Sequence, residues 1–164
     1  MRCTVDANTA QQLVQAFPPG LNKLVLKNNQ LDDGAWKMLG DHFPLKLAML
    51  EFNNQRIGDA DIKSLFTLRS ANLTEFSVSC MKAGGLILSL VQVMPPNLSA
   101  LSLSECSLKD AAIRALAPSL SSSLKQLCLE SNCIGPDGVK ALAESLRNSH
   151  ITHLNLGNNY VGAL

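Results

Sequence analysis

Aromatic residues are scarce in this chain: one Trp, one Tyr and five Phe make up 4% of its 164 residues. Any core must therefore be built mainly from aliphatic side chains, and leucine dominates every stretch. An excess of charge is missing too. Fourteen Lys and Arg against 13 Asp and Glu leave a formal net charge of +1, whereas a nucleic-acid binder gathers a basic excess on one face. No nucleic acid is expected as a partner. Long apolar runs are also absent. The most apolar stretch, Leu86 to Met94, is cut off by Pro95 and Pro96 and falls well short of the roughly 20 residues that span a bilayer. The opening Met1-Arg2-Cys3-Thr4-Val5-Asp6 lacks the apolar run of a secretory signal. No membrane association is expected, and the expected location is cytoplasmic.

The five cysteines, Cys3, Cys80, Cys106, Cys128 and Cys133, are odd in number and lack metal-site spacing. Cys128 and Cys133 form C-x4-C, but no second close pair completes four ligands. Free thiols in a reducing cytosol account for them. Two glycosylation sequons, Asn72-Leu73-Thr74 and Asn97-Leu98-Ser99, would matter only in a secreted protein and read as asparagines preceding strands. What is present is a folded composition, 46% hydrophobic against 16% charged, in a chain the length of one domain.

One eleven-residue phrase recurs along that domain. It reads Leu21-x-x-Leu24-x-Leu26-x-x-Asn29-x-Leu31 and returns as Leu47, Leu50, Phe52, Gln55, Ile57, then as Leu73, Phe76, Val78, Met81, Ala83. Further copies are Leu98, Leu101, Leu103, Cys106, Leu108; Leu124, Leu127, Leu129, Asn132, Ile134; and Ile151, Leu154, Leu156, Asn159, Val161. The starts at 21, 47, 73, 98, 124 and 151 are 26, 26, 25, 26 and 27 residues apart. A degenerate half-copy, Cys3, Val5, Asn8 and Ala10, opens the chain. The expected organisation is a single domain, 1–164. It comprises a half-repeat over 1–20, repeats starting near 21, 47, 73, 98 and 124, and a partial repeat over 151–164.

The phrase has a direct physical reading. Alternating apolar positions such as Leu24 and Leu26 send both side chains to one face of a short strand. Where the chain turns away, backbone groups inside the stack need partners, and a buried amide serves donors and acceptors alike. Asn8, Asn29, Asn132 and Asn159 suit that slot; Cys106 fills it with a weaker thiol, and Gln55 and Met81 interrupt the ladder. The second half of each repeat has helical spacing: Trp36 and Leu39, Ile62 and Leu65, Leu88 and Val91, Ile113 and Leu116, Val139 and Leu142 each lie on one helix face. Phe43, Leu120 and Leu146 continue three of these faces. Asp33, Asp59, Asp110 and Asp137 fall where a carboxylate can cap a helix start. Pro44, Pro95 and Pro96 fall where helices should stop.

The phrase resembles the leucine-rich-repeat signature L-x-x-L-x-L-x-x-N/C-x-L over essentially the whole chain. A β-α unit of this length is similar to the ribonuclease-inhibitor-like subfamily, whose repeats run slightly longer. The fold class this resemblance implies is an α/β solenoid. It is a right-handed β-α horseshoe with a concave parallel sheet and convex helices, stabilised by the stacking of neighbours. The function it implies is a non-enzymatic protein–protein interaction module, an adaptor, sensor or assembly scaffold. It needs no cofactor and takes another protein as its partner. Alternatives within the resemblance are a regulator such as a Ran-type GTPase-activating protein, for which Arg56 on a loop is the candidate residue, and a structural subunit buried in a larger complex.

If Leu24 and Leu26 point inward, their neighbours make the concave face. That register gives the candidate protein-binding residues Lys23, Lys27, Met49, Glu51, Asn53, Glu75, Ser77, Ser79, Ser102, Ser104, Gln126, Cys128, Glu130, His153 and Asn155, with Val25, Ala100 and Gly157 among them. The half-copy adds Arg2, Thr4 and Asp6. Protein interfaces usually rest on Trp, Tyr and Arg anchors; these rows carry no aromatic residue and only Arg2. They read as a flat, mildly acidic floor with a basic N-terminal edge, suited to a moderately basic partner or to a bulky inserted element. The last copy stops at Val161-Gly162-Ala163-Leu164, before its helix. It is expected to leave an uncapped C-terminal edge, open to further repeats or to self-association.

No catalytic or metal-ligating constellation emerges. His42 belongs in the last turn of a helix, where positive charge suits the dipole. His150 and His153 straddle the start of a strand without acidic or cysteine companions, and the negative neighbour Glu130 disfavours a reactive Cys128 thiolate. Ser121-Ser122-Ser123 reads as a polar loop, and Gly84-Gly85 lacks the partners of a phosphate-binding motif. Trp36 reads as helix core.

Overall fold

The computed structural model describes residues 4–54, 57–66, 71–79 and 86–162. Six parallel strands form one sheet in sequence order: β2 (Lys23–Lys27), β4 (Met49–Asn53), β5 (Glu75–Ser79), β6 (Ala100–Ser104), β7 (Gln126–Cys128) and β8 (His153–Asn155). Between them run α2 (Asp33–His42), α3 (Asp59–Leu65), α4 (Leu86–Val93), α5 (Asp110–Leu116) and α6 (Pro136–Leu146). A short β1 (Thr4–Val5) and α1 (Ala7–Gln15) precede the sheet, and β1 pairs with β3 (Gln30–Leu31). Each 25–27-residue period of the sequence is thus one coil of strand and helix, stacked on the next.

The phrase residues face the space between sheet and helices. Leu47, Leu50, Phe52, Leu73, Phe76, Val78, Leu98, Leu101, Leu103, Leu124, Leu127 and Leu129 are all buried. From the helix side come Trp36, Leu39, Ile62, Leu65, Ile113, Leu116 and Leu142, likewise buried, while Val139 is half-buried. In the N-terminal half the core is aromatic in spite of the overall scarcity. Trp36 meets Phe52 edge to face at 5.1 Å, Phe52 meets Phe76 at 6.0 Å, and Phe66 meets Phe76 at 5.0 Å. Trp36 is core, as expected; its Nε1 is buried without a hydrogen-bond partner among the described residues.

The C-terminal half solves a different problem, that of backbone groups inside the stack. Asn132 is buried, and its Oδ1 accepts from the N–H of Cys106 and of Leu108, both at 3.0 Å. Its Nδ2 donates to the carbonyls of Leu103, Leu129 and Glu130 at 2.7, 2.9 and 3.2 Å. Asn159 repeats the pattern one coil later. It accepts from Ile134 N–H at 3.1 Å and donates to the carbonyls of Leu129, Leu156 and Gly157. In the same slot the Cys106 thiol donates to Val78 and Ser104 carbonyls at 3.5 and 3.2 Å. Gln55, Met81 and Ala83 lie outside the described residues, as do Arg2, Cys3, Arg56, Cys80, the Gly84-Gly85 pair, Ala163 and Leu164.

Two expectations need correction. The half-copy is out of register: Val5 pairs with Leu31, not with Leu26, and Ala10 sits where Trp36 sits in the next coil. Asn8 is consequently an exposed residue of the first turn of α1 and no part of the ladder, and Thr4 and Asp6 do not extend the concave rows. Asp6 instead caps α1 through Thr9 N–H at 2.8 Å, a bond that holds its carboxyl below the usual carboxylate range. Because no strand of the half-copy joins the large sheet, Leu24 and Leu26 remain only half-buried. Second, α4 buries Ile87 and Leu90, whereas Leu88 is 61% exposed and Val91 half-buried. The repeat starting at 73 is one residue shorter than its neighbours, so its core face comes one residue earlier than a count from Ala83 gives. Asp33, Asp110 and Asp137 stand in first turns of helices as expected, and at α2 the capping bond itself comes from Asp32, which accepts from Ala35 N–H at 2.7 Å. Asp110 reaches across to the next coil and accepts from Gly135 N–H at 2.6 Å.

The coils are also tied at the strand starts. The sequon asparagines Asn72 and Asn97 donate to the carbonyls of Leu45 and Ala71, one coil back, and Thr74, Ser99 and Thr152 hydroxyls do likewise to Ala48, Thr74 and Lys125. Among the described residues, no helix is long and apolar enough to cross a membrane.

Candidate functional site

The alternation that buries the phrase residues turns their neighbours to the other side of the sheet, and the register aligns them in rows across it. The first row is Lys23, Met49, Glu75, Ala100, Gln126 and His153. The second is Val25, Glu51, Ser77, Ser102, Cys128 and Asn155, and the third is Lys27, Asn53, Ser79 and Ser104. Glu130 follows two residues after Cys128, just beyond β7. The parallel pairing without offset brings fourteen of the fifteen candidate residues onto one face, and Glu130 is joined to them by its hydrogen bond from Asn155.

They do not contribute equally. A groove of about 710 Å³ lies over the first two rows, floored by Ser77, Ala100 and Ser102 and bounded by Met49, Glu51 and Glu75 towards β4 and by Gln126, Cys128, His153 and Asn155 towards β8. Lys23 lines its N-terminal end. Lys27, Asn53, Ser79, Ser104 and Glu130 lie outside its lining. The groove exists because small side chains occupy the middle strands while longer ones stand on either side.

Polar groups on this face are partly answered by one another. Lys27 Nζ lies 2.9 Å from Glu51 Oε1. Ser104 Oγ is 3.2 Å from both Ser102 Oγ and Cys128 Sγ. Asn155 Nδ2 donates to Glu130 Oε2 at 3.0 Å, and its Oδ1 accepts from Gly157 N–H. The Glu75 carboxylate forms no hydrogen bond or ion pair among the described residues, while its backbone N–H donates to the Ala48 carbonyl at 2.9 Å. Among the described residues, the thiols of Cys128 and Cys133 are free of disulfides.

The remaining candidates for chemistry stand apart from this face or from one another. His42 Nδ1 is 2.9 Å from the Met38 carbonyl, one helical turn back. His150 is exposed, and His153 Nδ1 meets Thr152 Oγ1 at 2.9 Å. Among the described residues no group of three or more His, Cys, Asp or Glu is placed to hold a metal ion.

Sequence reasoning missed two features of the stack. Among the described residues, the backbone one residue before an Asn slot turns left-handed, with φ of 57° at Asn28, 52° at Asn54, 55° at Glu105, 56° at Ser131 and 55° at Asn158. The doublets Asn28-Asn29, Asn53-Asn54 and Asn158-Asn159 carried that signal, since asparagine tolerates this region better than most residues. The other is Gly40 on α2, where a Cβ would fall against the Ser64 carbonyl and 2.8 Å from Leu65 Cα. Its absence lets α2 and α3 approach closely, and no sequence signal marked it.

The family model described as Leucine Rich repeat matches residues 120–143 and 147–163. No curated protein matches the sequence. Among solved structures, an internalin from Listeria monocytogenes is similar with a TM-score of 0.51 and 16% identity over 92% of this chain. The chain spans 45% of that internalin's length. With strand and helix alternating along one parallel sheet, asparagines bridging its coils and both matches pointing the same way, this chain has the fold of a leucine-rich-repeat solenoid.

Proposed function

We propose that this chain is a non-enzymatic interaction module of the ribonuclease-inhibitor-like kind, which engages another protein through its concave sheet face in the cytosol. The observation that carries the reading is the groove over Ser77, Ala100 and Ser102. These side chains face away from the core, so the stack does not need them small, and their smallness leaves room for a partner. Leucine-rich-repeat domains commonly serve protein–protein interaction, and helices of seven to eleven residues between the strands of the sheet favour the ribonuclease-inhibitor-like pattern. The carboxylates Glu51 and Glu75 in the groove disfavour a phosphate backbone as occupant. The thiols of Cys128 and Cys133, free of disulfides, suit a reducing compartment.

The test is to fill the groove without touching the core. Ser102→Arg is expected to leave the melting temperature within about 2 °C, as surface substitutions do, and to abolish partner binding measured by calorimetry. Binding that survives Ser102→Arg would move the interface off this face.

A further inference from the structure

We propose that the groove takes an extended segment of another protein that sets a lysine or arginine side chain against Glu75; this rests on the concave-face reading above. The shape argues for a segment. The lining runs from Lys23 on β2 to Asn155 on β8, across five strand spacings of about 4.8 Å, or roughly 24 Å. About seven extended residues cover that length, whereas a compact small molecule fills only part of it.

The charge argues for a basic side chain. From β4 to β8 no lysine or arginine occupies a strand position facing the groove, while Glu51 and Glu75 both line it. Glu51 is already answered by Lys27 at 2.9 Å. Glu75 is half-buried with no such partner among the described residues. Its register neighbours are Met49 on β4 and Ala100 on β6. The methyl of Ala100 leaves space for an incoming side chain, and Met49 offers an apolar surface to its methylene stem. A cation placed there meets a partly desolvated carboxylate, where attraction is screened less than on open surface. An acidic segment would instead add negative charge beside Glu51 and Glu75.

The test starts from a phage-displayed library of random twelve-residue peptides selected on the purified chain. Selected peptides are expected to share a Lys or Arg. Its replacement by Gln should weaken binding at least tenfold in fluorescence anisotropy, and Glu75→Gln in the protein should do the same. Glu75→Lys should lose the basic peptides and gain a variant carrying Glu at that position, a reversal that unfolding cannot produce. Peptides abolished by Ser102→Arg yet free of basic residues, or indifferent to Glu75→Gln, would overturn the basic-segment inference and leave the concave reading standing. Peptides indifferent to both substitutions, or a selection that enriches none, would overturn both.

Discussion

The two halves of the stack hold their coils together by different means. In the N-terminal half Trp36, Phe52, Phe76 and Phe66 meet edge to face through the core. In the C-terminal half the corresponding strand positions are leucines, and the buried amides of Asn132 and Asn159 bridge coil to coil. The family match falls only on 120–143 and 147–163, in the asparagine-bridged half. Rings interlock by shape and tolerate a loose phrase; an amide that satisfies several backbone groups fixes the residue at one position. The same architecture is therefore easy to recognise where it rests on hydrogen bonds and hard to recognise where it rests on packing.

The largest expected effect comes from removing the bridge. Asn132→Leu keeps the number and branching of the amide's heavy atoms but strands the N–H groups of Cys106 and Leu108 and the carbonyl of Leu103. At roughly 1–3 kcal/mol for each buried unsatisfied group, the loss should reach about 4 kcal/mol in urea unfolding. A loss under about 1 kcal/mol would show that water replaces the amide and that the halves differ less than the geometry implies. Phe52→Leu attacks the other half. It removes two edge contacts, each of about 0.5–1.5 kcal/mol, and leaves a small cavity, so about 2 kcal/mol is expected from the same measurement. Because coils in a stack couple chiefly to their neighbours, the double variant should lose the sum of the two single losses; a marked departure would mean that the halves share one cooperative core.

The smallest effect concerns Glu105, a left-handed residue at a position where other coils carry Asn28, Asn54 and Asn158. Glu105→Asn should stabilise by about 0.5 kcal/mol, since a non-glycine residue in this region carries strain of order 1 kcal/mol that asparagine partly escapes. A loss of stability in thermal melting would count against strain at that turn.

Much of this was legible in the sequence because the repeat states each coil several times. Leu50, Leu101 and Leu127 are buried where the phrase puts them, and the face opposite follows from alternation alone. The half-copy defeated the reading because Val5 and Ala10 are as compatible with the third-strand register as with the first, and only the pairing of Val5 with Leu31 decides between them. Leu88 defeated it because a run as uniformly apolar as Leu86–Val93 has no polar face to fix its phase. On the candidate face, sequence named the residues but not the division between those that line the groove and those that, like Ser79 and Ser104, lie outside it. That division depends on side-chain heights across neighbouring strands, which no single repeat records.

Asn132 and Asn159 have one more consequence. The amides of Cys106 and Leu108 belong to one coil and that of Ile134 to the next, yet each is closed by an asparagine oxygen supplied from the coil that follows. Deuterium uptake at these three positions is thus timed by the opening of the downstream neighbour rather than of the coil that contains them. Read along the chain, the exchange record of this half is displaced by one repeat from its secondary structure.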